Sequence, residues 1–189
     1  MEKNVGFALC GSFCTFSKAF PAMEQVKKQF GTVLPIFSPA AASIDTRFGK
    51  AADHLRRAEE ICGRPPFTTL QEVEPIGPKG LLDALVVAPC TGNTLAKLAH
   101  GIADTSVTMA VKSHLRNGRP VILAVSTNDG LGAAAENIGR LLARRHIYFV
   151  PFGQDDPVGK PASLVADFTK VAETVAAALE GRQIQPVLI

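Results

Sequence analysis

Runs of apolar residues, each closed by glycine, serine or proline, punctuate this chain and set its expected architecture. Val5-Gly6-Phe7-Ala8-Leu9-Cys10 reads as a buried strand ending in Gly11-Ser12. Behind it, Phe16, Phe20, Met23, Val26 and Phe30 recur at gaps of four and three, the spacing of one helical face. Gly31 supplies the stop, and Pro21 marks either a kink or a delayed helix start. Residues 32–37 predict a second strand closed by Ser38-Pro39. Residues 47–61 predict a helix with Arg47, Lys50, Asp53, Arg56, Arg57 and Glu60 on its polar side, closed by Pro65-Pro66. Residues 67–80 hold Pro75, Gly77, Pro78 and Gly80 and read as a connecting loop.

Leu85-Val86-Val87-Ala88, bounded by Pro89, has the unbroken apolarity of a strand buried on both faces. Two helices follow. The first starts near Thr94 with Leu95, Leu98, Ala99 and Ile102 on one face; the second starts at Asp104, a favourable N-cap, and ends near Asn117-Gly118. Residues 120–125 predict another buried strand, and residues 147–150 a final one. Between them, residues 131–145 predict a helix that turns Leu131, Ala135, Ile138, Leu141 and Leu142 inward. A loop over residues 151–161 leads to Ser163, placed to cap a last helix that buries Leu164, Phe168, Val171, Val175 and Leu179. The tail from Gln183 to Ile189 is apolar at its end, as expected of a segment that docks on a neighbour. Strands alternating with helices predict an α/β fold, a three-layer doubly wound parallel sheet of about five strands.

Length and composition narrow the picture. The 189 residues suit a single domain spanning 1–189 with a sizeable core. Lys and Arg number 20 against 17 Asp and Glu, and the surplus of +3 is not clustered, so nothing argues for a nucleic-acid partner. No stretch reaches the ~18 uninterrupted apolar residues of a membrane span, and the run at residues 5–10 is too short for a signal-peptide core; the expectation is a cytoplasmic protein. Cys10, Cys14, Cys62 and Cys90 form no CxxC pair and read as reduced thiols. His54, His100, His114 and His146 show no metal-ligand spacing, and no metal is expected.

In such sheets ligands bind beyond the carboxyl ends of the strands, near the point where strand order reverses. There the sequence supplies Gly11-Ser12-Phe13-Cys14-Thr15 after the first strand and Ser38 after the second. After the third comes Cys90-Thr91-Gly92-Asn93-Thr94, after the fourth Ser126-Thr127-Asn128-Asp129-Gly130, and after the fifth Gly153-Gln154-Asp155-Asp156. The first loop suits a phosphate: Gly11 lets the backbone come close, Ser12 and Thr15 carry hydroxyls, and the helix behind offers free N–H groups. It reads equally as an ordinary strand-to-helix turn. Neither G-x-G-x-x-G nor G-x-x-x-x-G-K-[ST] is present, which argues against a nicotinamide dinucleotide on this chain and against a nucleotide triphosphatase. Thr91 to Thr94 is more informative, because capping a helix needs one such residue and four are present. They suit the polar edge of a ring or an anionic substrate. Asp155-Asp156 reads as a solvated loop pair, with a general base or metal pair as the alternative.

The run Pro89-Cys90-Thr91-Gly92-Asn93-Thr94-Leu95-Ala96-Lys97-Leu98-Ala99-His100-Gly101-Ile102-Ala103-Asp104 is similar to the signature of the flavoprotein superfamily, which contains flavin-dependent cysteine decarboxylases and flavin prenyltransferases. Nearly the whole chain further resembles the B-subunit family of the dipicolinate synthases of spore-forming bacteria. That likeness is carried by Gly6-Phe7-Ala8-Leu9-Cys10-Gly11-Ser12-Phe13-Cys14-Thr15, by Ser126-Thr127-Asn128-Asp129-Gly130-Leu131 and by Pro151-Phe152-Gly153-Gln154-Asp155-Asp156-Pro157.

The resemblance implies a flavodoxin-like or Rossmann-like sandwich, assembled as a trimer or dodecamer with its flavin site near a protomer interface. It implies FMN as cofactor and oxidation of a dihydrodipicolinate-level diacid in the mother cell during sporulation. The implied partner is the dehydrogenase-like A subunit of dipicolinate synthase, which carries the NAD(P). Gly11, Ser12 and Phe13 would then hold the FMN phosphate, and Ser38 would lie beside the ribityl chain. Thr91, Gly92, Asn93 and Thr94 would meet flavin or substrate, and Ser126, Thr127 and Asn128 match a loop that closes over the flavin. Asn93 matches an amide that binds substrate carboxylate in the decarboxylases; it and His54, in the region of their active-site histidine, are the catalytic candidates. Asn93, Thr94, Lys97 and Lys160 are candidate donors to the diacid. The chain departs from the decarboxylases in reading Val125-Ser126-Thr127-Asn128 where they have Pro-Ala-Met-Asn, and from the prenyltransferases in carrying Asn93 in place of Lys. Two further readings stay open: a stand-alone flavin-dependent decarboxylase or transferase, and a non-catalytic binding or scaffolding protein.

Overall fold

Seven strands rather than about five make up one sheet in the computed structural model, which describes residues 2–189. β1 (Lys3–Leu9), β2 (Gly31–Phe37), β3 (Ala84–Cys90), β4 (Val121–Thr127) and β5 (Ile147–Phe149) pair in parallel in the order β2-β1-β3-β4, with β5 also on β4. The chain leaves β1 toward β2 on one side and returns to β3 on the other, so strand order reverses between β1 and β3. All of β3 is buried, and β4 is buried up to Thr127, which is why both read as unbroken apolar runs. β3 does not stop before Pro89. It continues to Cys90, and its register against β4 shifts between Val87 and Cys90, an irregularity that absorbs a residue unable to donate to the ladder.

β6 (Phe152–Gly153) and β7 (Leu164–Ala166) extend the sheet antiparallel, through β7 on β4. Leu164 therefore belongs to a strand, and Ser163 caps no helix. Asp167 caps a 3-10 turn at Phe168–Lys170 instead, accepting from Thr169 N at 3.0 Å, and the last helix is the later one at Val171–Leu179. The tail runs beside β6 on the chain's own sheet edge: Phe152 N donates to Val187 O at 3.0 Å, and Ile189 N to Phe152 O at 3.1 Å.

α1 (Phe16–Phe30) follows a 3-10 turn at Phe13–Thr15, continues through Pro21 and buries the five predicted apolar positions. α2 (Pro39–Ser43) is an additional short helix, capped by Ser38. α3 (Ala51–Cys62) begins later than residue 47, because residues 46–49 close a turn in which Gly49 has φ 137°. The segment 67–80 is not a plain loop: Thr69 and Glu72 form a capping box that starts α4 (Leu70–Val73). α5 (Gly92–Ala99) is capped by Thr91. α6 (Ser106–Leu115) is capped by Thr105 rather than Asp104, whose carboxylate accepts from Lys97 Nζ at 2.8 Å. α7 (Ala134–Leu142) turns Ala134, Ile138 and Leu141 inward. Leu131 precedes it in a turn, and Leu131, Ala135 and Leu142 are exposed. With α8 (Val171–Leu179), these helices form the outer layers: α1, α3 and α8 on one face of the sheet, α4 to α7 on the other. Among the described residues no helix is long and apolar enough to cross a membrane.

Candidate functional site

A cleft of about 900 Å³ opens where the strand order reverses, beyond the carboxyl ends of β1, β3 and β4. Its floor begins with Gly11 to Thr15. Ser12 N folds back onto Cys10 O at 2.9 Å, and Thr15 Oγ1 donates to Ser12 O at 2.7 Å. The 3-10 turn that starts here leaves the N–H groups of Phe13 and Cys14 without an intrahelical partner. Ser12 Oγ shares a hydrogen bond of 2.8 Å with Ser126 Oγ, which joins the loops after β1 and β4 across the floor.

The loop after β3 forms the next wall. Thr91 caps α5, its Oγ1 accepting from Thr94 N at 3.3 Å, so Gly92 and Asn93 occupy the first turn, whose N–H groups lack helical acceptors. Gly92 sits so close to the loop after β4 that a Cβ there would come within 2.8 Å of Thr127 Oγ1 and 3.0 Å of Asp129 Oδ1. Thr127 Oγ1 also donates to Asp129 Oδ1, which fixes that loop internally. From the far side, Asp155, Lys160, Ser163 and Val165 line the cleft. Hydrogen bonding to Ser163 and the ammonium of Lys160 at 3.1 Å hold the Asp155 carboxyl below the usual range, and Asp155 in turn holds Lys160 up.

Of the residues singled out by sequence, Gly11, Ser12, Phe13, Thr91, Gly92 and Asn93 line this cleft together with Ser126, Thr127, Asn128 and Lys160. Four others do not. Ser38 is buried as the cap of α2, with Oγ accepting from Ala41 N at 3.2 Å and N donating to Leu9 O at 2.9 Å. Thr94 is buried beneath the wall, its Oγ1 donating to Cys10 Sγ at 3.2 Å. Lys97 points to Asp104. His54 lies behind the first loop, its ring packed on Phe16 and Phe20 at centroid distances of 4.8 and 5.9 Å, and burial pushes its pKa down.

Sequence reasoning missed Lys18, Thr46, Arg47 and Phe48, all of which reach the cleft. By spacing alone Arg47 is one charge among several on a helix; Gly49 is the signal that the helix has not yet begun. Cys10 and Cys90 are buried under the floor, and burial pushes the Cys10 thiol up to about 11 and Cys90 upward as well. No group of three or more His, Cys, Asp or Glu among the described residues is arranged to hold a metal ion.

The flavoprotein family model matches residues 1–177. The chain is 42% identical over 187 residues to the dipicolinate synthase B subunit of Bacillus subtilis (strain 168), a match covering 99% of this chain and 94% of that one. It superposes on the crystal structure of the dipicolinate synthase B subunit from Bacillus halodurans C with a TM-score of 0.91 and 44% identity, covering 100% of this chain and 98% of the other. A dodecameric FMN-dependent UbiX-like decarboxylase from Escherichia coli O157:H7 shares the fold at 17% identity and a TM-score of 0.65, with coverage of 97% and 96%. The chain belongs to the flavoprotein family, and it is similar over essentially its whole length to the B subunits of dipicolinate synthase.

Proposed function

We propose that this chain is the B subunit of a dipicolinate synthase, acting with a nicotinamide-dependent A subunit to oxidise a dihydrodipicolinate-level diacid to dipicolinate. The observation that carries the reading is the 42% identity maintained across 99% of the chain. The mother cell of a spore-forming bacterium and a homo-oligomeric assembly belong to the same reading; the distant structural relative is dodecameric.

The residues of the cleft fit FMN. Free N–H groups at Phe13 and Cys14, the hydroxyl of Ser12 and the nearby ammonium of Lys18 suit a phosphate. The close approach at Gly92, where no side chain fits, closes the loops after β3 and β4 onto each other at one end of the cleft and leaves its open volume to the ligand. Bound FMN would supply a two-electron acceptor for a hydride. The chain's own part is to bind and orient. Asn93 and Asn128 offer side-chain amides to the cleft, on loops that the bonds of Ser126 and Thr127 hold in place. Ser38 and Thr94, held inside the fold, would shape the pocket from behind. NAD(P) is assigned to the partner.

The test is the spectrum of the purified protein after loading with FMN, followed by turnover with and without the dehydrogenase partner. An oxidised-flavin spectrum and turnover that needs both chains are expected; full turnover by the partner alone would remove any catalytic role. A non-catalytic binding role is the second reading, and one observation favours it: Asp129 and Asp155, the two carboxylates lining the cleft, are already bonded to Thr127 and Lys160. It predicts a colourless protein that still raises the partner's rate.

A further inference from the structure

Three cations line the cleft, and they are not equivalent. Lys160 is paired with Asp155. Lys18 and Arg47 enter none of the ion pairs among the described residues. Arg47 lies over the ring of its exposed neighbour Phe48, 4.8 Å from the centroid. That contact orients a guanidinium without neutralising it.

The turn that carries Arg47 is braced from several directions. Thr46 N donates to Gly49 O at 3.0 Å and Gly49 N to Thr46 O at 3.1 Å. Phe48 N donates to Thr46 Oγ1 at 3.1 Å, and Asp45 Oδ1 accepts from Ala51 N, the start of α3, at 2.9 Å. Gly49 rests against His54, where a Cβ would come within 2.7 Å of Cε1 and 2.8 Å of Nε2. His54 packs on Phe16, and Phe16 on Phe13 of the first cleft loop at 5.4 Å. A row of rings thus ties the Arg47 turn to the loop that suits a phosphate. His54 Nε2 is buried without a hydrogen-bond partner among the described residues, and its ring contacts are the packing ones to Phe16, Phe20 and Gly49.

We propose that Arg47 is the subsite for a carboxylate of the diacid substrate, and that His54 is a positioning residue that holds the Arg47 turn through Gly49. The proposal rests on the reading of the cleft as a flavin and diacid site. A guanidinium pairs in bidentate fashion with carboxylate or phosphate. The carboxylate is favoured because the loop from Gly11 to Thr15 already provides unbonded amides and a hydroxyl for phosphate, whereas Arg47 comes from a separate segment between α2 and α3. A fork held on a braced turn loses little freedom on binding.

The test is calorimetric titration of the FMN-loaded protein with pyridine-2,6-dicarboxylate and with the monoacid pyridine-2-carboxylate, beside titrations of the flavin-free protein with FMN and riboflavin. Arg47→Gln should weaken the diacid at least about tenfold and leave the FMN-to-riboflavin ratio unchanged. Arg47→Lys should recover little of the loss, because an ammonium lacks the fork. His54→Ala should reproduce the diacid loss, and His54→Phe, which keeps a ring against Gly49, should restore binding. Unchanged diacid affinity in Arg47→Gln overturns the subsite and leaves the flavin reading standing. So does a selective loss of FMN relative to riboflavin, which would place Arg47 on the phosphate. Equal diacid affinity in His54→Phe and His54→Ala overturns the positioning role. Wild-type protein that takes FMN but neither acid overturns the subsite alone; protein that takes no flavin and no acid overturns both readings.

Discussion

The two ends of the central strands carry similar residue types and use them in opposite ways. At the amino ends of β3 and β4, polar groups are bonded within the fold. Ser113 Oγ donates to Glu74 O at 2.7 Å and accepts from Gly77 N at 2.8 Å, Asn117 Nδ2 donates to Gly77 O at 2.7 Å, and Arg119 reaches Gly80 O at 3.1 Å. His114 Nε2, as the donor tautomer, meets Pro120 O at 3.1 Å. At the carboxyl ends, Phe13 and Cys14 keep N–H groups free of intrahelical bonds, and Lys18 and Arg47 keep charges that no ion pair among the described residues uses. A serine, an asparagine or an arginine therefore says little by its identity alone. What separates scaffold from site is whether its hydrogen-bonding capacity is already used.

Replacing a glycine at each end should break this contrast most sharply. A Cβ at Gly77 would land on the backbone oxygen of Ser113, so Gly77→Ala is expected to cost about 3 kcal/mol or more, read as a fall in the urea midpoint. A Cβ at Gly11 would sit 3.4 Å from Ala40 and 3.5 Å from Phe13, so Gly11→Ala should unfold near the wild-type midpoint while weakening FMN. Equal stability in Gly77→Ala would mean that the amino end is not rigid.

Next in size is a pH effect whose largest histidine contribution comes from the amino end. Burial, the largest influence, pushes His114 from 6.5 to about 4. The unfolded chain accepts a proton there that the folded chain refuses. The stability it provides is complete above about 6.5 and is lost as pH falls toward 4, amounting to about 3 kcal/mol. His114→Gln should reduce the slope of urea midpoints measured from pH 4 to 7, leaving the smaller part that the buried His54 contributes, and an unchanged slope would refute the assignment. The smallest effect belongs to the floor of the cleft. Ser126→Ala removes the bond to Ser12 and should cost about 1 kcal/mol, with a larger relative loss in FMN affinity. A variant that lost stability but bound FMN normally would place Ser126 with the scaffold.

The parallel sheet and most of the cleft were legible because their signals are long and local. Seven consecutive residues of β3 are buried, and the loops after β1, β3 and β4 stand directly at strand ends. β6 and β7 were not legible: strands of two and three residues are too short to show a period, and Ser163-Leu164 imitates the start of a helix. Ser38 and Thr94 looked like ligand donors because caps and ligand contacts draw on the same residue types. Lys97 was hidden by a partner seven positions away, Asp104, which itself looked like a cap. Arg47 was missed because its spacing to Lys50 and Asp53 continues a helical stripe that the chain does not follow.

The thiols beneath and beside the cleft make a natural depth gauge. Cys14 stands exposed at the mouth, whereas Cys10 and Cys90 are sealed under the floor and Cys62 lies in the core. A maleimide should label one position in the folded protein and the remaining three only as the sheet opens, since thiolate character and access both set the rate. The order in which mass increments arrive during unfolding would then report which layer parts first, with no foreign probe attached.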